Sequence, residues 1–343
     1  MNISGRKIGK DQVPLIIAEI GINHGGNLET AKRMVFSAFQ AGCEMIKHQT
    51  HIVEDEMTES ARNIYPPNDS RSIWDVINDS SLSKDEEIEL KAYTEQLGMI
   101  YISTPFSRAA ADFLHEIDVP AFKIGSGECN HLPLIKHIAS FGKPVIMSTG
   151  MQPLENISKS VKILEENNVE YCLLECTNLY PSPPEHVTLK GIAELRETFK
   201  NAIVGFSDHS IGPHVSIAAL GLGASIIERH YTDSKYRVGP DISASMDASE
   251  LKLLIETSNE IFLALRNNKH RSKPEENVYA FARASVVADR HLIKGTTIDI
   301  ADIWARRPGD GDISVEFFYE LIGKKVNRDI MKNEQLKWVD FDD

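Results

Sequence analysis

Eight short apolar or alternating runs, spaced by stretches with helical periodicity, set the tightest limit on what this chain can fold into. They are Leu15–Gly21, Met45–Thr50, Met99–Thr104, Ala121–Gly125, Pro144–Thr149, Tyr171–Thr177, Ala202–Ser207 and Ser225–His230. Between them, Leu28–Ala41, Glu86–Leu97 and Leu154–Asn167 carry apolar residues at steps of three and four, the spacing of a helix with one buried face. Eight strands alternating with helices call for a parallel sheet, and their regular spacing favours closure into a (β/α)8 TIM barrel over an open doubly wound sheet. Such a barrel uses roughly 250 residues. The 343 residues here therefore leave room for one small further domain.

Side chains alternate between the two faces of a strand, so the parity of each run can be followed. Ile17, Glu19 and Gly21 share a face, as do Met45, Lys47 and Gln49. The same rule groups Ile102 with Thr104 and Phe106, Ile146 with Ser148, Leu174 with Cys176 and Asn178, Ser207 with His209, and Ile226 with Glu228 and His230; Lys123 stands on the fourth run. Each apolar run thus ends in polar groups at its carboxyl end. Core packing alone does not produce that distribution, whereas convergence on one pocket does.

Several chemistries are open to such a pocket. His209 and His230 end neighbouring strands and are candidate ligands of one metal ion. Two imidazoles without a third His or Cys in register do not suit structural zinc. They suit an exchangeable Mn²⁺ or Mg²⁺ completed by water and substrate oxygens, able to polarise a carbonyl. Lys47 and Lys123 bring positive charge, and the turns GSGECN (Gly125–Asn130) and STG (Ser148–Gly150) present backbone N–H groups to phosphate or carboxylate. A small, doubly anionic substrate fits this set. Glu19 and Glu228 are candidates for acid–base work or for orienting a hydroxyl, and either could instead simply pair with a lysine.

One connection is too long for a plain barrel. His51–Lys84 leaves the carboxyl end of the second strand and is expected to overhang the pocket as a flexible lid or a substrate wall. The predicted domains are a barrel over 1–268, a polar linker over 269–282 and a small β-rich domain over 283–343. Within the last, RHLIKGTTIDIADI (Arg290–Ile303) is echoed by RDIMKNEQLKWVDF (Arg328–Phe341). Gly295 and Asn333 hold the same place in the two copies and are the residues best able to turn there, which predicts internal twofold symmetry. A domain of about 60 residues buries little core and is expected to lean on a partner surface.

The formal net charge of -13 argues against nucleic acid as a partner. No run reaches a membrane span and the first residues carry no signal-peptide core, so a cytoplasmic protein is expected. Cys43, Cys129, Cys172 and Cys176 form no CxxC pair and lie in or beside apolar runs, as buried thiols do in a reducing compartment.

Specific runs carry a family resemblance over essentially the whole chain. IAEIGINHGG (Ile17–Gly26), KHQTHIVEDEM (Lys47–Met57), STPFSRAAA (Ser103–Ala111), KIGSGECN (Lys123–Asn130), SDHS (Ser207–Ser210), ERHYTD (Glu228–Asp233), GPDISASMD (Gly239–Asp247) and RRPGDGD (Arg306–Asp312) closely resemble the bacterial N-acetylneuraminate (sialic acid) synthases. The resemblance implies a barrel followed by an antifreeze-protein-like SAF domain, in a domain-swapped homodimer where the small domain caps the partner's barrel. It implies metal-assisted condensation of phosphoenolpyruvate with N-acetylmannosamine, with Mn²⁺ (or Mg²⁺ or Co²⁺) on His209 and His230. Glu19 then matches the glutamate near the reacting sugar, and Glu228 is a second candidate for proton transfer. Lys47, Thr104, Lys123, Ser126, Ser148, Asn178 and Ser207 match positions that hold phosphoenolpyruvate; Gln49, Asn68, Tyr180 and Asp241 match sugar-side positions. Arg307 matches an arginine that reaches the sugar's N-acetyl group across the dimer, and Phe281 an aromatic from the same domain.

The chain departs from the family pattern in three places: FARASVV with Arg283 for a second Phe, ECNHLP for ECNNYP, and SASMD for CSMD. These departures touch the sugar rather than the reaction, and legionaminic and pseudaminic acid synthases, which take diacylated deoxy sugars, are the alternative. Two further readings compete: a Schiff-base aldolase using Lys47 or Lys123, and a non-catalytic sugar-binding protein.

Overall fold

The structure is a computed structural model that describes residues 1–65, 70–269 and 272–342. The chain divides into two compact units, Met1–Arg266 and Asn267–Asp343. In the first, eight parallel strands close into a barrel in sequence order, the last pairing with the first. They are β1 (Leu15–Gly21), β2 (Met45–Thr50), β3 (Ile100–Pro105), β4 (Phe122–Ile124), β5 (Val145–Ser148), β6 (Tyr171–Cys176), β7 (Ile203–Asp208) and β8 (Ile226–His230). Helices follow them in turn: α1 (Leu28–Gln40), α2 (Lys84–Gln96), α3 (Arg108–Glu116), α4 (Leu132–Ala139), α5 (Leu154–Glu166), α6 (Gly191–Thr198), α7 (His214–Gly221) and α8 (Ala248–Leu265). Capping boxes at Ser83/Glu86 and Asp247/Glu250 start α2 and α8, each satisfying orphan backbone donors reciprocally.

Strand parity divides the barrel into two cores. Outward residues such as Ile16, Ala18, Ile20, Ile46 and Leu173 pack under the helices. Inward residues Ile17, Met45, Ile102, Ala121, Ile146, Leu174 and Ile226 fill the lower barrel. Burying such a side chain is worth about 1.5–3 kcal/mol. Gly205 lies where a Cβ would stand 2.6 Å from Leu174 Cδ2, so its lack of a side chain is what lets neighbours on both strands occupy the axis. An N-terminal hairpin, Asn2–Ile3 with Arg6–Lys7, adds Ile3 and Ile8 to this cluster.

The His51–Lys84 insertion is a folded wall. It contains helical turns Val53–Glu56 and Glu59–Asn63 and a helix Ile73–Ser80. Val53, Ala61 and Trp74 form a small apolar cluster of their own, and the Arg62 guanidinium lies 3.9 Å over the Trp74 ring. Asn68, expected on the sugar side, lies outside the described residues.

The second unit holds a two-stranded antiparallel sheet, β9 (Ser285–Ala288) and β10 (Ile303–Arg306), over a core including Val286, Leu292, Ile313, Val326 and Ile330. Its internal symmetry is visible bond by bond. Gly295 and Asn333 both have positive φ, at 90° and 69°. Arg290 Nε donates to Asp302 Oδ1 at 2.6 Å, and Arg328 Nε to Asp340 Oδ1 at 2.7 Å. Leu292 and Ile330 bridge each other across the pseudo-axis. Within the stretch expected as linker, Ser272 and Glu275 form a capping box, and a helix Glu276–Ala282 follows. Helix-forming Ala and Glu in ENVYAFA outweigh the polarity that marks the residues before it.

Candidate active site

Two residues beyond the apolar layer, the inward positions of the barrel become charged. The register sets Glu19 level with Lys47 on one side and His230 on the other, and Glu228 level with Ser207. Lys47 Nζ lies 2.7 Å from Glu19 Oε2 and 3.9 Å from Glu228 Oε1; Lys123 Nζ is 3.6 Å from Glu228 Oε1. The Lys47–Glu19 contact is off the hydrogen-bonding direction, so Oε2 keeps no well-directed donor. Both carboxylates are thus paired with lysine, and the pairing separates their properties. Burial lifts the Glu19 carboxyl, against the pull of Lys47, to about 7. Burial acts on Glu228 in the same sense, but Lys123 and Lys47 together outweigh it and hold this carboxyl below its usual range. Two carboxylates pushed apart in this way are the pattern of one charged partner and one proton carrier at neutral pH.

Hydroxyl and amide groups surround the lysines. Lys47 Nζ donates to Thr104 Oγ1 at 3.2 Å and Lys123 Nζ to Ser148 Oγ at 2.8 Å. Ser126 Oγ accepts from the Gly150 N–H at 3.1 Å, and Ser207 Oγ donates to Glu228 Oε1 at 3.3 Å. A Cβ on Gly150 would stand 1.9 Å from Asn178 Oδ1, which explains the glycine of the STG turn. Asn178 Oδ1 is buried without a partner. These groups line one cavity of about 300 Å³ with Glu19, Gln49, Tyr180, Glu228, His209 and His230. Burial opposes the charge on Lys47, yet Glu19 and Glu228 prevail and its pKa is raised; for Lys123 burial prevails and its pKa is lowered.

The two imidazoles stand at the rim with ring centroids 5.3 Å apart. Their fit to a metal rests on their nitrogens. His209 Nδ1 meets the Thr177 carbonyl oxygen at 2.9 Å, which places the proton there and leaves Nε2 as an acceptor. His230 Nδ1 is buried with no hydrogen-bond partner and lies 3.7 Å from Asp241 Oδ2. Burial lowers both pKa values, that of His230 well below the usual range with the neighbouring His209 adding to it, so both rings are neutral and available as ligands. Among the described residues no group of three or more His, Cys, Asp or Glu forms a ligand set. Two protein nitrogens with open positions suit a hard, exchangeable divalent ion.

A second cavity of about 710 Å³ shares Gln49, Tyr180 and His230 with the first. Asp241, whose carboxyl burial raises to about 6, lines it together with Ile73, Val76 and Ser80 of the insertion. The described site residues expected in the barrel therefore fall into one inner compartment and one outer one. Phe281 and Arg307 belong to the second unit, where both are exposed.

Other residues at this mouth escaped the sequence reading. Glu128 lines the inner cavity with its carboxyl raised by burial, beside Phe106, which shares the parity of Ile102 and Thr104. Asn23 Nδ2 donates to the Tyr231 carbonyl at 3.1 Å and to Ser245 Oγ at 2.9 Å, and Ser245 Oγ in turn donates to the Asp241 carbonyl. His51 bonds to Gln49. Its signal was present, since Lys47, Gln49 and His51 share parity, but it falls at the start of the insertion. The four cysteines are free and buried; Cys176 borders the inner cavity with its thiol pushed up to about 11 by burial.

A closed parallel barrel with ionisable groups gathered at the carboxyl ends of its strands is the architecture of a TIM-barrel enzyme. Comparison with known proteins narrows the class: the model of the NeuB family matches residues 34–270 and that of the SAF domain residues 283–342. The chain belongs to the NeuB family. It is 34% identical to the N,N'-diacetyllegionaminic acid synthase of Campylobacter jejuni over 94% of this chain and 98% of that protein. It is also 34% identical to the N-acetylneuraminate-9-phosphate synthase of Homo sapiens, over 94% of this chain and 91% of that one. A crystal structure of N-acetylneuraminic acid synthetase from Leptospira borgpetersenii, in complex with citrate, superposes with a TM-score of 0.74 at 28% identity, covering 81% of this chain and 94% of that one. This is a family of sugar-acid synthases. Among the described residues no helix is long and apolar enough to cross a membrane.

Proposed function

We propose that the protein condenses phosphoenolpyruvate with open-chain N-acetylmannosamine and water to give N-acetylneuraminate and inorganic phosphate. The observation that supports this most directly is the pair of joined compartments. The inner one sets two lysines and four hydroxyls where a small dianion would lie, and the outer has room for an amino sugar. In this reading Lys47, Lys123, Thr104, Ser126, Ser148, Asn178 and Ser207 hold phosphoenolpyruvate. Gln49, Tyr180, Asp241 and Asn68 hold the sugar. Arg307 and Phe281 meet its N-acetyl end from a partner copy in a domain-swapped homodimer, an assignment that rests on the family resemblance.

Carbon three of phosphoenolpyruvate attacks the sugar aldehyde carbon and forms the new C–C bond. Water then adds at carbon two, and the tetrahedral intermediate expels phosphate by C–O cleavage. Glu19, through Oε2, the oxygen that Gln49 does not occupy, gives or takes the proton near the reacting sugar. Glu228 stays ionised and balances the two ammonium groups. A divalent ion on His209 and His230, Mn²⁺ first and Mg²⁺ or Co²⁺ as alternatives, would supply Lewis acidity toward the aldehyde oxygen.

The similarity to the C. jejuni enzyme favours one second reading, in which the sugar is a diacetamido-dideoxy hexose and the product a legionaminic-type acid. Phosphate release from phosphoenolpyruvate, measured with Mn²⁺ and a panel of both sugar types, decides between them. No release with any member sinks both. A Schiff-base aldolase is separated by its resistance to chelators and its inactivation by borohydride with pyruvate; Lys47, its charge favoured by two carboxylates, is the poorer nucleophile for it, and Lys123, whose pKa burial lowers, the better one.

A further inference from the structure

The strand that supplies Lys47 and Gln49 is followed at once by a histidine without a task so far. His51 is buried, and both of its ring nitrogens are engaged. Nδ1 lies 2.8 Å from Glu56 Oε2 and Nε2 lies 3.3 Å from Gln49 Oε1. The ring is stacked on Phe106 with centroids 4.3 Å apart and planes within 12°. A ring pinned at both nitrogens and one face has no position open for substrate or metal. What it touches is the amide of Gln49, whose Nε2 donates to Glu19 Oε1 at 2.7 Å.

A glutamine amide has two nearly equivalent orientations about its last bond. With Nε2 toward Glu19 the contact is a hydrogen bond to a carboxyl oxygen. Turned over, it would set oxygen against oxygen in a buried site, where such an encounter costs most. Glu19 therefore favours the first orientation from one end of the amide. At the other end His51 faces an oxygen at each nitrogen, the Glu56 carboxylate at Nδ1 and the Gln49 amide at Nε2, so the arrangement requires a donor at both, an imidazolium paired with Glu56, and its Nε2–H favours the same orientation. The backbone leaves room for the arrangement. Gly21 has φ +49°, and a Cβ there would crowd Glu19 Oε1 at 3.0 Å and Gln49 Nε2 at 3.1 Å.

We infer that His51, clamped by Glu56 and Phe106, is a positioning residue that locks the Gln49 amide and through it the carboxyl of Glu19. The chain runs Glu56–His51–Gln49–Glu19 and ends on the group that carries the proton in the proposed reaction, so its kinetic consequence rests on that reading. The Gln49 bond holds Oε1 of Glu19, while Oε2 stays turned toward Lys47 Nζ at 2.7 Å, inside the inner cavity.

Two experiments test the lock. In kinetics, His51→Phe keeps an aromatic ring for the Phe106 stack but removes both nitrogens. It is expected to lower kcat with the amino sugar by about 100-fold, the loss typical of a misplaced reacting group, with the phosphoenolpyruvate KM within about twofold. His51→Gln, which restores an N–H near Nε2, is expected to recover about tenfold of that loss. A His51→Phe enzyme within about threefold of wild type, or a His51→Gln enzyme no better than it, overturns the proposal. Independently of any sugar, ¹⁵N NMR of the wild-type imidazole is expected to show Nε2 protonated, with Gln49→Met shifting that nitrogen. An unprotonated Nε2, or one indifferent to Gln49→Met, overturns the lock even if the phenylalanine variant fails to fold. A wild-type protein that releases no phosphate would sink the functional reading while the NMR result still decides this one.

Discussion

The lower and upper halves of the barrel interior are made by the same strands, two residues apart. Ile17, Met45, Ile102, Ala121, Ile146, Leu174 and Ile226 fill the lower half; Glu19, Lys47, Thr104, Lys123, Ser148, Cys176 and Glu228 line the upper. Both layers are buried, so exposure does not distinguish them. What differs is the sign of their contribution. Each apolar side chain below gains from leaving water. Each charge above loses solvation that ion pairing only partly restores. Strand periodicity lets one backbone carry both, and the helices outside supply the stability that the upper layer gives up.

The sharpest way to break this contrast is His230→Ala. Removing half of the protein's proposed metal ligation should cut phosphate release by about 10³-fold or more, the several kcal/mol expected of lost Lewis-acid assistance. The urea midpoint should stay the same or rise, because His230 Nδ1 is buried without a hydrogen bond and nothing is orphaned by deleting it. A fully active variant would dissolve the metal assignment; an unfolded one would dissolve the division of labour.

The mirror experiment is Leu174→Ala in the lower layer. Leu174 is fully buried and so close to Gly205 that no side chain fits between them. A cavity there can collapse only partly, and a loss of about 2–5 kcal/mol is expected in chemical denaturation. Activity per folded molecule should change little at temperatures where the variant remains native. If kcat falls while stability holds, the two layers are not separable.

A third environment, outside the barrel, sharpens the contrast in another way, because there polar groups serve structure. His24 Nδ1 accepts from the Gly26 N–H at 3.2 Å, and its Nε2 lies 3.0 Å from His48 Nε2. Burial, with the neighbouring His48 adding to it, lowers the His24 pKa to about 3. The unfolded chain binds this proton near 6.5, so below that pH the unfolded state holds more protons than the folded one. Stability is therefore intact above about pH 6.5 and is lost as pH falls toward 3. By pH 5 the loss amounts to about 2 kcal/mol. Urea unfolding at pH 7.5 and pH 5 should show this slope in the wild type and a shallower one in His24→Asn. Equal slopes would remove His24 from the acid response.

How much of this was legible in the sequence varied with the range of the interaction. Strand parity placed Lys47, Lys123 and Glu228 in one cavity because alternation is a local rule. The repeat in the second unit predicted both left-handed turns, since Gly295 and Asn333 are residues that accept positive φ. Contacts that join distant segments were not legible. Nothing in the order of residues ties Asn23 to Ser245, or Ile3 and Ile8 to the barrel's lower core. His51 illustrates the boundary: it shares the parity of Lys47 and Gln49, but as the first residue of the long insertion it was read with the loop. The helix Glu276–Ala282 was hidden by the charged residues before it.

The smallest expected effect lies in the second unit, where two adjacent arginines differ as the barrel layers do. Arg306 is ion-paired with Asp289, whereas Arg307 is exposed on the turn before Pro308. That turn is braced from below: Gly309 lies against the stem of Arg283, whose guanidinium stacks 4.8 Å over Tyr279. The Arg283 that departs from the family pattern thus supports the loop through its methylenes as a phenylalanine would through its ring. On the proposed reading Arg307→Ala should raise the sugar KM about tenfold, about 1.4 kcal/mol, with the phosphoenolpyruvate KM unchanged. Arg306→Ala should leave both constants alone and lower only the melting temperature of this unit. A sugar KM that moves equally in both variants would mean that the turn as a whole, and not the Arg307 side chain, is what the sugar requires.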